Sequence, residues 1–141
     1  MIVIENPLPS PYLPHACGLM HLPRVLEKIR RHWADELSDY YAKTLGRGFD
    51  DLLCQHLEIP YETLMEAVYR NPSGPELDRE LLAVFPADLR VHVWNRKLMQ
   101  RGLEGYAKER VEIRKRELQL TDRDDILTMC DLLEVVEGRL P

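Results

Sequence analysis

The sequence predicts an all-α fold: one irregular bundle of about six or seven short helices behind an extended, proline-rich N-terminal arm. Three observations lead there. Apolar residues recur three and four positions apart through most of the chain. Proline and glycine cut that pattern into short segments. No convincing strand appears; short apolar runs such as the opening "MIVI" invite one, but nothing obvious would partner them.

The arm comes first. "NPLPSPYLP" holds Pro7, Pro9, Pro11 and Pro14, and proline fixes φ, removes a donor and pushes its predecessor toward extended geometry. Two readings stand: the arm lies along the domain, docked by Tyr12 and Leu13, or it is loose. The boundaries read as 1–17 for the arm and 18–141 for a single helical domain.

In "LPRVLEKIRRHWADEL", Leu22, Val25, Leu26, Ile29, Trp33 and Leu37 form one apolar stripe. Pro23 suits a first helical turn, where its missing N–H costs little. Arg24, Lys28 and Arg31 fall on another face, and Glu27 is placed to pair with Arg31. After Gly46 and Gly48, "FDDLLCQHLEI" reads as a short buried helix with Asp50 as a cap or first-turn acid. Pro60 starts "YETLMEAVYR", with Leu64, Met65, Val68 and Tyr69 facing inward.

"NPSGP" is a turn, and "ELDRELLAVF" a further short helix. Pro86 opens "ADLRVHVWNRKLMQRG", which Gly102 ends. "EGYAKERVEIRKRELQL" is a charged helix with weak periodicity. In "TDRDDILTMCDLLEVVEGR", Thr121 and Asp124 resemble a capping box, and Ile126, Met129, Cys130, Leu133 and either Val136 or Glu137 follow at helical spacing.

Composition narrows the function classes. The 141-residue chain is 45% hydrophobic and 30% charged, globular proportions with enough length to bury a core unaided. Its net charge of −5 disfavours nucleic acid and anionic membranes as partners. The odd count of three cysteines, Cys17, Cys54 and Cys130, implies reduced thiols rather than a disulfide framework. The N-terminus lacks the basic and apolar regions of a signal peptide. A cytoplasmic protein is expected, with no membrane partner.

Two polar clusters suggest chemistry. "HACGLMHLPR" offers His15, Cys17 and His21 as metal ligands, but no second compact pair completes a zinc site. A loop running into a helix explains the stretch better, so no metal and no cofactor are expected. Asp88, His92 and Arg96 stand four apart, the start of an acid–base arrangement, but such spacing is common on a solvated helix face. "KERVEIRKRE" alternates charge in the same solvated manner.

The run Gly18, Leu22, Pro23, Arg24, Leu26 and Lys28 spells G-x-x-x-L-P-R-x-L-x-K. It resembles the opening of a family of small bacterial proteins known only as a domain of unknown function. "FDDLLCQHLEI" with "YETL", the pair Trp94 and Asn95, and "DRDDILTMCDLL" resemble later segments of that family. The chain departs from it at Glu58-Ile59-Pro60, where the family has Gly-Ile-Asp, and at Cys17-Gly18, where it has paired glycines. The resemblance implies one helical domain and supplies no activity.

Arg24, Lys28, Asp50 and Asn95 are the polar residues inside those motifs. They suit a pocket for a carboxylate or phosphate, while a structural Arg24–Asp50 ion pair joining two helices is the simpler reading. The sequence therefore points to a non-catalytic binding or interaction module. It would recognise a protein partner or small anionic ligand over the helices at 22–37, 50–57 and 88–101. An enzyme or anion-binding protein using Arg24, Asp50 and His92 is the alternative, and homo-oligomerisation through an apolar helix face a third reading. The candidate ligand-binding residues are Arg24, Lys28, Asp50, His92 and Asn95, with catalytic residues unknown.

Overall fold

The computed structural model describes residues 4–141, and these are all-helical. The helices are α1 (Leu22–Trp33), α2 (Asp39–Ala42), α3 (Phe49–Leu57), α4 (Tyr61–Arg70), α5 (Pro75–Val84), α6 (Val91–Gln100), α7 (Gly105–Glu117) and α8 (Met129–Val136). That is slightly more than expected, because the one-turn α2 is too short to show a period. Most of "MIVI" lies outside the described residues. Among those described, no helix is long and apolar enough to cross a membrane.

Leu22, Val25 and Ile29 carry the α1 stripe into the main core, beside Leu53 and Leu57 of α3, Leu64 and Val68 of α4, Leu81 of α5, and Trp94 and Leu98 of α6. Burying each such aliphatic side chain contributes roughly 1.5–3 kcal/mol. Ile126, Leu132 and Val135 form a smaller cluster under α7 and α8. Tyr69, expected to face inward, is exposed.

Several boundaries differ from expectation for local reasons. α1 stops at Trp33, short of Leu37, because Asp35 turns left-handed at φ 58°. The Glu36 N–H then donates back to Arg31 O at 2.8 Å, satisfying a terminal carbonyl. α8 begins at Met129, and the Thr121–Asp124 box does not form. Thr128 is the cap: its Oγ1 accepts from Asp131 N at 3.1 Å, and Asp131 Oδ2 accepts from Thr128 N at 3.2 Å. Pro86 precedes its helix by several residues, which begins at Val91. α7 buries only Val111 and Lys115, which accounts for its weak periodicity.

Gly102 shows why glycine stands between α6 and α7. Its φ is 111°, and a Cβ there would come within 2.9 Å of Val111 Cγ2 and 3.1 Å of Met129 N.

The N-terminal segment is held mainly by groups other than those expected. Leu8 is fully buried, whereas Leu13 is exposed. Tyr12 does dock, donating its hydroxyl to Asp131 Oδ1 at 2.7 Å. Arginines hold the backbone: Arg31 Nη1 donates to Asn6 O at 2.7 Å, Arg139 Nη1 to Leu8 O at 2.9 Å, and Arg24 Nη1 to Pro9 O at 3.0 Å.

Candidate functional site

Arg24, Lys28 and Arg31 share one face of α1, and all three are buried rather than solvated. A buried charge is tolerated only when paired and hydrogen-bonded. Arg31 meets that condition with Glu27 at 2.8 Å and the Asn6 carbonyl; Arg24 and Lys28 meet it through two networks.

The first centres on Asp50, in the first turn of α3. Lys28 Nζ lies 2.9 Å from Oδ2, and His21 Nε2 lies 2.9 Å from Oδ1. The N–H of Gly46 donates to Oδ2 at 3.1 Å. Lys28 also donates to Thr44 Oγ1 at 3.1 Å. Asp50 is 1% exposed, His21 2% and Lys28 3%. Burial opposes the Asp50 charge, but His21 and Lys28 outweigh it and hold the carboxyl below its ordinary range. Burial lowers the basicity of His21 despite its Asp50 partner, leaving a neutral ring. Because the carboxylate only accepts, Nε2 carries the proton and Nδ1 presents a bare lone pair. That buried Nδ1 has no partner among the described residues.

The second network centres on Glu137, at the C-cap of α8. Arg24 donates to it in a fork, Nη1 to Oε1 at 2.8 Å and Nη2 to Oε2 at 2.6 Å. The Tyr41 hydroxyl donates to Oε2 at 2.7 Å, and Arg139 closes the set. Burial would raise the Glu137 pKa; Arg24, Tyr41 and Arg139 bring it below the usual range. The expected Arg24–Asp50 pair is thus replaced by Arg24–Glu137 and Lys28–Asp50. The sequence did carry a clue to Glu137: an acid at a helix C-terminus opposes the helix dipole and needs cations to hold it.

Above these networks lies a cleft of about 410 Å³ lined by Arg24, Lys28, Lys43, Arg47 and Arg114, with His21 and Asp50 also contributing. Across Phe49 it adjoins a cleft of about 210 Å³ with Arg101, Tyr106 and Arg110. A third, of about 700 Å³, shares Phe49, Leu52 and Arg101 and adds Arg90 and Lys97. Together they make a groove around Phe49. Lys43, Arg47, Arg90, Lys97, Arg101 and Arg110 line it, and none has a carboxylate within ion-pairing distance among the described residues. Among the described residues, Asp50 and Glu104 are the only acidic ones lining these three clefts.

The structure thus brings Arg24, Lys28 and Asp50 together on one cleft. Asn95 lies elsewhere: its Oδ1 accepts from Met20 N and its Nδ2 donates to Gly18 O, each at 2.9 Å. His92 is exposed on α6 and lines none of the three clefts. Asp88 accepts from the backbone N–H of Arg90 at 3.1 Å, not from His92. His15, Cys17 and His21 do not converge, since His21 is bound to Asp50 and His15 to Asp78. The sequence does not show the groove cations Lys43, Arg47, Arg90, Lys97, Arg101 and Arg110 as a group, because they come from separate segments with no shared spacing.

A family model described as Domain of unknown function (DUF5069) matches residues 6–139. No curated protein matches the chain.

Proposed function

This chain belongs to the DUF5069 family, a domain of unknown function, and because that description names no activity we propose one from the site itself: a non-catalytic binding module for an anionic ligand, held in the groove around Phe49. The observation that carries this reading is the row of six cations without carboxylate partners among the described residues, in a protein whose net charge is −5. Clustered cations in a concave surface focus positive potential and attract anions. Their spread over three adjoining clefts suits a ligand with several phosphate or carboxylate groups better than a single small ion.

The buried networks support the same reading. Lys28–Asp50 and Arg24–Glu137 fix α1, α3 and α8 relative to one another, so the groove walls are preorganised. The catalytic alternative with Arg24, Asp50 and His92 gains nothing here, since His92 stands apart from the cleft. Three free thiols support a reducing compartment, consistent with a bacterial cytoplasm.

A thermal-shift screen tests the proposal, because a ligand that binds only the native state raises its apparent stability. Tripolyphosphate, pyrophosphate and citrate should each raise Tm, and inorganic phosphate less so. Added sodium chloride should erode the effect. A flat response to all of the polyanions overturns the reading.

A further inference from the structure

A bare polyphosphate would leave part of the groove unused. The middle cleft, of about 210 Å³, is mostly apolar: Phe49, Leu52, Ala107 and Met129 line it together with Tyr106. Arg101 and Arg110 also line it, and among the described residues no carboxylate does. A phosphate pressed against such a floor would lose its water without a donor for each oxygen. The cleft therefore asks for an uncharged part of a ligand whose charges lie next door.

The planar groups narrow the kind of part. Tyr106, in the first turn of α7, is 72% exposed. A lone exposed ring on a surface needs no explanation. This one shares a small cleft with the ring of Phe49 and two guanidinium groups. Phe49 itself opens α3 and packs against the buried His21 ring, with centroids 5.5 Å apart. Aromatic rings and arginine both stack on the flat face of a nucleobase. A flexible alkyl chain would gain from the apolar floor but not from that stacking.

The middle cleft is continuous with the one that holds Lys43 and Arg47, because Gly48 and Phe49 line both. Gly48 puts no side chain in the passage, and among the described residues no atom lies within 4 Å of where its Cβ would project. Arg47 is its chain neighbour and lines the adjoining cleft.

Resting on the anion-binding reading above, we propose that the ligand is a free nucleoside di- or triphosphate. Its base lies in the middle cleft against Phe49 and Tyr106, and its phosphates extend past Gly48 to Arg47 and Lys43. Arg101 and Arg110 flank the base. The net charge of −5 disfavours a long nucleic acid, whose many phosphates would meet the whole protein's field, whereas one nucleotide meets only the positive groove.

Isothermal titration of ATP, tripolyphosphate and a short single-stranded oligoadenylate into the full chain, in magnesium-free buffer, tests the assignment. ATP should bind about fivefold or more tightly than tripolyphosphate, the gain coming from stacking. The oligoadenylate should bind more weakly than ATP. Tyr106→Ala, at an exposed position, should remove most of the ATP advantage and leave tripolyphosphate unchanged. Arg47→Glu should weaken both ligands about threefold or more. Far-UV circular dichroism checks that both variants fold. Tripolyphosphate binding as tightly as ATP, or Tyr106→Ala weakening both ligands alike, overturns the nucleotide assignment while the groove remains an anion site. Tighter binding of the oligoadenylate overturns it in favour of single-stranded RNA. Binding of neither ATP nor tripolyphosphate overturns this assignment and the anion-binding reading together.

Discussion

Arg24 on α1 grips Glu137 at the end of α8 through two parallel hydrogen bonds, of 2.8 and 2.6 Å, although 113 residues separate them in sequence. The pair joins α1 to the C-cap of α8 and forms a support beneath the proposed anion cleft.

The two partners are not stranded alike. Glu137→Leu leaves buried Arg24 without a carboxylate and should destabilise the fold by about 3–5 kcal/mol, whereas Arg24→Met should cost less, because Arg139 and Tyr41 still hold Glu137. The double variant should recover a large part of the Glu137→Leu loss. Urea unfolding of the three variants and the parent checks this. Single variants within about 0.5 kcal/mol of the parent would place the pair among surface ion pairs of little worth.

His21 gives stability a dependence on pH. Its folded pKa lies below its ordinary 6.5 because burial disfavours the charged ring. As pH falls below 6.5, the unfolded chain takes up a proton that folded His21 resists, so stability declines. Asp50 and Glu137 are also depressed in the folded state. Their contribution is present above their ordinary values of 3.8 and 4.5 and is lost as pH falls through the lower folded values. Acidification should therefore remove the His21 contribution first and the Asp50 and Glu137 contributions later, while His15, whose folded pKa is raised, adds stability as pH falls and offsets part of the first loss. His21→Gln should lack the first, seen as a smaller drop in urea midpoint between pH 7.5 and 5. An identical pH profile would contradict a neutral buried His21.

The α8 cap separates two threonines. Thr128→Ala should cost about 1 kcal/mol, since Thr128 Oγ1 satisfies the Asp131 N–H. Thr121→Ala, at an exposed residue outside any helix, should stay within about 0.5 kcal/mol of the parent. Thermal or urea denaturation decides it, and the reverse order would put the helix start at Thr121.

The contrast between these threonines shows what the sequence holds. The apolar stripe of α1 was legible because Leu22, Val25 and Ile29 repeat at helical spacing, and the core uses them. Pro23 and the Glu27–Arg31 pair were legible for equally local reasons. Thr121 misled because a cap motif needs a helix behind it, and residues 122–127 turn instead. Arg24 and Lys28 were recognised as candidates, but a charged row on a helix reads as solvated unless its partners are known. Glu137 and Asp50 reach them only through tertiary packing. Asn95 drew attention as a ligand-binding residue, and its hydrogen bonds go to the backbone of the Gly18–Met20 turn. The groove cations come from α3's approach, α6 and α7, and no linear pattern gathers them.

The central claim is that the unpaired cations around Phe49 bind an anionic ligand. Isothermal titration of tripolyphosphate into the parent chain and into Arg47→Glu/Arg101→Glu tests it most directly, run at low and physiological salt with far-UV circular dichroism confirming the fold. Saturable binding by the parent that weakens with salt, and falls at least about tenfold in the double variant, is the predicted result. Equal binding by both proteins, or binding by neither, would contradict the account.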